Sequence, residues 1–167
     1  AWPGRAALIQ NGQAISYGSL QATVERLASR LASLGIGSGD CVGVSCKRPS
    51  ANLSLVLALA RMGAVSTPIN TNSPQEILDQ LVRRHKTVAW LKDDGEARVL
   101  TGIAPDRQVT VSALFRDLDA EPSFDPSASP VSDEQAWRIG LSSGTTGTRF
   151  HSRSRSGRLR PSSVQPL

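Results

Sequence analysis

The strongest constraint on the fold of this chain is a strand, a helix and a second strand joined by very short connections between residues 41 and 68. Residues 41–46 form a small apolar run, Cys41-Val42-Gly43-Val44-Ser45-Cys46. Pro49 and Ser50 then open a Leu- and Ala-rich helix over 51–62, which Gly63 closes, and 64–68 forms the next strand. Proline suits the first helical turn, where its missing N–H would be an orphan anyway, and glycine suits the turn just past the end. Two strands joined through a helix must run parallel, as a crossover unit.

The segments on either side extend the alternation. Residues 7–10 and 13–16, joined by Asn11-Gly12, predict a hairpin with a tight turn. Leu20, Val24, Leu27, Leu31 and Leu34 then recur at helical spacing, with Ser16 as N-cap and Gly35 as the stop. A third helix is predicted from Ser73-Pro74-Gln75-Glu76, with Ser73 as N-cap, Pro74 at the first helical position and Glu76 closing a capping box. Ile77, Leu78, Leu81 and Val82 form its buried face, and strands follow at 87–91, 109–111 and 136–141. The fold class is therefore α/β: a layered domain with a mostly parallel sheet flanked by helices. Leu20, Leu27, Leu57 and Val88 are expected to share its core. Residues 119–134, rich in Asp, Glu, Pro and Ser, are expected to be a surface linker.

Charge divides the chain at one point. Of the 19 Lys and Arg, five arginines fall after Thr148, whereas all 14 Asp and Glu precede it, so residues 1–148 are neutral and the whole net charge of +5 belongs to 149–167. A basic isoelectric point would ordinarily suggest nucleic-acid or membrane partners, but here that argument reaches only the Arg/Ser-rich tail. That tail has no apolar period, and no packed structure is expected in it. No run is long and apolar enough for a membrane span. Cys41 and Cys46, five strand steps and about 16 Å apart, cannot bridge each other. With no other cysteine, an intrachain disulfide is excluded, and a cytoplasmic setting is the expectation. The two histidines, His85 and His151, offer no metal-ligand spacing. His85 belongs to a cationic helix end, Arg83-Arg84-His85-Lys86, favourable against the helix dipole.

The chemistry is concentrated in Ser142, Ser143, Gly144, Thr145, Thr146, Gly147 and Thr148, directly after the last strand. Glycines let the backbone approach a ligand closely, and the hydroxyl and N–H donors of such a run can converge on phosphate oxygens. The run resembles the phosphate-binding signature of the adenylate-forming superfamily of AMP-dependent synthetases and ligases, which includes acyl-CoA synthetases, peptide-synthetase adenylation domains and luciferases. The resemblance is carried further by Ile15-Ser16-Tyr17-Gly18-Ser19-Leu20, by Leu34-Gly35-Ile36-Gly37-Ser38-Gly39-Asp40-Cys41-Val42, and by Leu57-Ala58-Leu59-Ala60-Arg61-Met62-Gly63-Ala64-Val65-Ser66-Thr67-Pro68-Ile69-Asn70, in the family's order. It covers residues 5–148. It stops inside the signature, where Arg149 and Phe150 stand in place of the family's Pro and Lys.

The resemblance implies the N-terminal portion of an ATP-dependent acid ligase, with residues 1–148 a partial AMP-binding domain. In an intact enzyme ATP and Mg2+ activate a carboxylic acid as an acyl-adenylate, and coenzyme A is the expected acceptor. Residues 142–148 would hold the β- and γ-phosphates. The family's adenine pocket, metal ligand and catalytic Lys lie later in its fold, so this chain by itself is expected to be inactive, with apolar surface left exposed. The alternative is a non-catalytic binding or regulatory fragment whose basic tail, 149–167, binds RNA or another anionic partner. Nucleic acid is not expected as a partner except through that tail. A further account of the tail is an out-of-frame continuation of the gene. Gly140-Leu141-Ser142-Ser143-Gly144 also fits a nucleophile elbow, but Gly-Thr-Thr-Gly is a poor helix start and no acid follows. A Walker loop is excluded because the chain has no Gly-Lys dipeptide.

Overall fold

A computed structural model describes residues 2–125, 127, 131, 135–141 and 151–155, with Leu141 and the last five described through the backbone. Strands β1 (Ala6–Gln10) and β2 (Gln13–Ser16) pair antiparallel in a small sheet of their own. Asn11 and Gly12 both have positive φ, at 51° and 76°, which is the geometry of the tightest hairpin turn and the reason for Asn-Gly there. Helix α1 (Tyr17–Ser33) follows at once. The Ser16 hydroxyl accepts the Ser19 N–H at 3.1 Å, so the cap expected at Ser16 is formed. Leu20, Val24, Leu27, Ala28 and Leu31 are buried along one stripe, and Leu34 packs at the margin of the core.

Strand β3 (Cys41–Ser45), helix α2 (Pro49–Arg61) and strand β4 (Val65–Pro68) make the parallel crossover unit, in register from Cys41↔Val65 to Val44↔Pro68. Arg48 sits at the N-cap of α2 without capping it. The cap comes from the hairpin instead, where Gln10 Oε1 accepts the Ser50 N–H at 3.0 Å. Helix α3 (Gln75–His85) starts one residue later than expected. Pro74 takes the cap position in an extended conformation, its carbonyl accepts the Ile77 and Leu78 N–H groups, and no side chain caps the helix. Ser73 is therefore not the N-cap and no capping box closes. Leu78 and Val82 are buried, and Ile77 and Leu81 half-buried. Strand β5 (Thr87–Lys92) and strand β6 (Gln108–Thr110) follow, and Val111 opens the short helix α4 (Val111–Phe115) rather than ending a strand.

With β7 (Ala136–Leu141) and β8 (His151–Arg155), the main sheet has the order β6-β5-β3-β4-β7-β8. The first five strands of that order are parallel, and β8 runs antiparallel to β7 at the edge. Composition predicts no packed structure in the tail; His151–Arg155 instead runs as a strand paired with β7.

Side chains alternate across the sheet and feed two cores. Val42, Val44, Ala89 and Leu91 pack with Leu27, Leu31, Leu55 and Leu59 from α1 and α2. On the opposite face Trp90 and Ile69 pack with Leu78 and Val82 of α3. Gly43 lies between them, since a Cβ there would sit 2.8 Å from Ile69 Cγ1. Leu20 and Leu27 share the first core and Leu57 packs against it. Val88 does not join them. It falls where the β3–β5 register shifts, between Thr87 and Ala89, near the last turn of α3, and is 36% exposed.

The segment after α4 runs along α1 and is tied to it. Arg26 pairs with Asp119 at 2.6 Å, and Arg30 reaches Glu121 through both Nε and Nη2, at 3.0 and 2.8 Å. Arg30 also donates to the carbonyls of Leu114 and Arg116. The Phe124 N–H donates to Glu25 O, and the Phe124 ring packs against the core. The described part of the acidic linker thus lies at the surface, as expected, but is held by named contacts. Large apolar side chains remain exposed at Trp2, Ile9, Tyr17 and Val99.

Candidate phosphate-binding site

The parallel strands end on one edge of the sheet, and residues 142–148 leave β7 at that edge. Ser142, Ser143, Gly144, Thr145, Thr146, Gly147 and Thr148 lie outside the described residues, as do Arg149 and Phe150. Leu141 and His151 are register partners, so residues 142–150 connect two neighbouring antiparallel strands. The donor set of the run, hydroxyls on every residue but two glycines, suits phosphate oxygens.

Beside it the sheet has a topological switch point. The chain leaves β3 for α2 on one face and leaves β4 for α3 on the other, which opens a crevice between the carboxyl ends of adjacent strands. The crevice holds about 670 Å³ and is lined by Cys46, Lys47, Asn52, Asn70, Asn72 and Asp93, among others. Its polar groups brace one another. The Asp93 carboxylate accepts the Lys47 N–H at 3.0 and 3.3 Å, Asn70 Oδ1 accepts the Asn72 N–H at 3.1 Å, and Asn52 Nδ2 donates to Cys46 O at 3.1 Å.

Burial pushes the Cys46 thiol up from its ordinary value. Cys41 is buried at the other end of β3, and neither cysteine is in a disulfide. Glu96 is held below the usual carboxylate range by the Arg98 guanidinium, which donates to it at 3.0 Å and also to Ser73 O, tying the β5–β6 connection to the α3 entry. His85 stands with Arg83 and Arg84 in the last turn of α3, as the sequence suggested. Among the described residues no group of three or more His, Cys, Asp or Glu could hold a metal ion, and no helix is long and apolar enough to cross a membrane.

Two residues whose contacts hold β7, Ser66 and Gln135, have no signal in the sequence. The Ser66 hydroxyl donates to Trp137 O at 3.2 Å, and Gln135 Nε2 donates to Gly63 O at 2.6 Å and to Ser38 Oγ at 2.9 Å. Both tie β7 to the body of the sheet.

A family model described as AMP-binding enzyme matches residues 1–149. The chain belongs to the AMP-binding enzyme family. Its similarity to novobiocin biosynthesis protein H of Streptomyces niveus is 30% identity over 154 residues, covering 87% of this chain and 25% of that protein. The N-terminal subdomain of Klebsiella oxytoca NpsA superposes with a TM-score of 0.74 at 25% identity, over 92% of this chain and 38% of that one. NpsA-ThdA from the same organism, an artificially fused adenylation–PCP di-domain of a nonribosomal peptide synthetase, matches with a TM-score of 0.74 at 25% identity, over 85% of this chain and 26% of that one. This AMP-binding chain thus spans about a quarter of the curated relative named here. The sheet and its flanking helices are those of the adenylate-forming N-terminal subdomain.

Proposed function

We propose that this chain carries the polyphosphate-holding part of an ATP-dependent acid ligase. The observation that supports the reading is the hydroxyl- and glycine-rich run 142–148, placed directly after β7 at the carboxyl edge of the sheet in a chain of the AMP-binding family. Thr145, Thr146 and Thr148 contribute hydroxyl and N–H donors, Ser142 and Ser143 extend the cradle, and Gly144 and Gly147 admit the phosphates close to the backbone. In the reaction a substrate carboxylate oxygen bonds to the α-phosphorus of ATP, the bond to the bridging oxygen breaks, and pyrophosphate leaves with that oxygen. Donors fixed on the β- and γ-phosphates hold the leaving group and stabilise its charge.

The acceptor of the acyl group is a thiol. Family resemblance supports coenzyme A. The likeness to the adenylation–PCP di-domain favours a second reading, in which a carrier-protein thiol takes the acyl group.

A polyphosphate cradle supplies only one share of the stabilisation that adenylyl transfer requires. The purified 167-residue chain is therefore expected to give no ATP–pyrophosphate isotope exchange above background with any carboxylic acid. Sustained exchange by the pure chain would show that the machinery is complete within it and would overturn this assignment of roles.

A further inference from the structure

The parallel strands begin on the edge of the sheet opposite the one from which residues 142–148 leave, and a second pocket of about 640 Å³ lies there. Its walls differ in kind. Arg84, His85 and Lys86 at the end of α3 form one side, and Val65, Val88 and Ile139 supply apolar surface. Val88 is a large apolar side chain left exposed beside these cations. Arg83 adds a further charge next to them. Arg83, Arg84 and Lys86 are exposed, and none is in an ion pair among the described residues, although residues 1–148 as a whole are neutral. Asp40 is the one acid among the lining residues, and it accepts the Gly37 N–H at 2.8 Å. Lys86 is the C-cap of α3, at φ 50° and ψ 46°. That left-handed conformation disfavours a residue with a Cβ, and glycine or asparagine commonly ends a helix there. The helix dipole favours cations at this end, but Arg83 and Arg84 followed by a glycine would satisfy it without strain. A lysine at this position keeps a charge at the pocket at a cost to the backbone.

We propose that this pocket is a second ligand site, for a small organic anion: a phosphate or carboxylate group on an apolar body. Arg84 and Lys86 take the anionic group, the guanidinium offering two parallel N–H donors to a pair of its oxygens. Val65, Val88 and Ile139 receive the apolar body, and the volume is in the range of small-molecule pockets. Burial of that body adds to the charge contact, so the site prefers an amphipathic anion to inorganic phosphate. The site lies at the opposite edge of the sheet from residues 142–148 and is independent of the ligase reading.

The test is a titration of the isotope-labelled full chain with phenyl phosphate, benzoate, inorganic phosphate and phenol, followed amide by amide by NMR. At least one organic anion is expected to give saturable shifts at residues 84–88 and 136–139, with inorganic phosphate binding more weakly and phenol giving none. Tighter binding of phenyl phosphate assigns the site to phosphate esters, and tighter binding of benzoate assigns it to carboxylates. Arg84→Gln is expected to weaken binding about fivefold. Lys86→Gly is expected to weaken it as well while raising the melting temperature, because glycine relaxes the left-handed backbone. No saturable shift at these residues with either organic anion would overturn the proposal. So would equal binding of inorganic phosphate or phenol, or wild-type affinity in both Arg84→Gln and Lys86→Gly.

Discussion

Replacing Trp90 with alanine is expected to cost about 3–5 kcal/mol, a large part of the stability of a domain this size. Trp90 is fully buried between β5 and α3 and is the largest side chain in the second core. Its removal leaves a cavity lined by Ile69, Leu78 and Val82 that the helix cannot close without leaving β5. Two polar contacts go with it. Trp90 Nε1 donates to Ser45 Oγ at 2.9 Å, and the Lys92 ammonium lies 5.1 Å from the ring centroid. Urea unfolding followed by circular dichroism measures the loss. Trp90→Phe, which keeps most of the volume but not the N–H, is expected to lose less than half as much. A cost below about 1 kcal/mol for the alanine variant would mean that the α3 layer contributes little to folding.

Gly63→Ala is expected to be nearly as damaging, at about 2–4 kcal/mol, although it adds one methyl group. Two independent requirements meet at this residue. Its φ is +76°, a left-handed conformation that costs an L-residue about 1–2 kcal/mol. A Cβ would also stand 2.7 Å from Ser38 Oγ and 3.0 Å from Gln135 Nε2, which are the groups that hold the start of β7. Gly12 has the same φ of +76°, but a Cβ there would meet nothing within 4 Å. Gly12→Ala therefore carries the conformational cost alone, and the difference between the two variants isolates the close approach. Equal costs for the two would mean that crowding at Gly63 contributes nothing.

The sequence revealed most clearly what local physics decides. The Asn11-Gly12 turn, the Leu stripe of α1 with its Ser16 cap, and the 41–68 crossover each carry their signal within a few residues, and each is present. Long-range proximity was not legible. Nothing near Pro49 says that Gln10 will cap α2, and nothing in the 119–134 composition says that Arg26 and Arg30 will clasp Asp119 and Glu121. The Ser73 cap failed through a local competition, because Pro74 in an extended conformation occupies the cap position itself. Val88 failed because the β3–β5 register shifts between Thr87 and Ala89, which interrupts the alternation at that residue. The strand at His151–Arg155 had no apolar period to announce it, and its pairing comes from the β7 backbone. Of the site, the donor run was visible in the sequence, whereas the anchors Ser66 and Gln135 were not, since one serine and one glutamine carry no pattern.

Whether residues 142–148 hold a polyphosphate is tested most directly by titrating the isotope-labelled chain with magnesium pyrophosphate and following each backbone amide by NMR. A polyphosphate cradle gives saturable shifts centred on Gly144, Thr145, Thr146 and Gly147, lost when Gly144 and Gly147 are replaced by valine. Saturation with no shift in 142–148, or shifts confined to the crevice at Asn70 and Asn72, would contradict it.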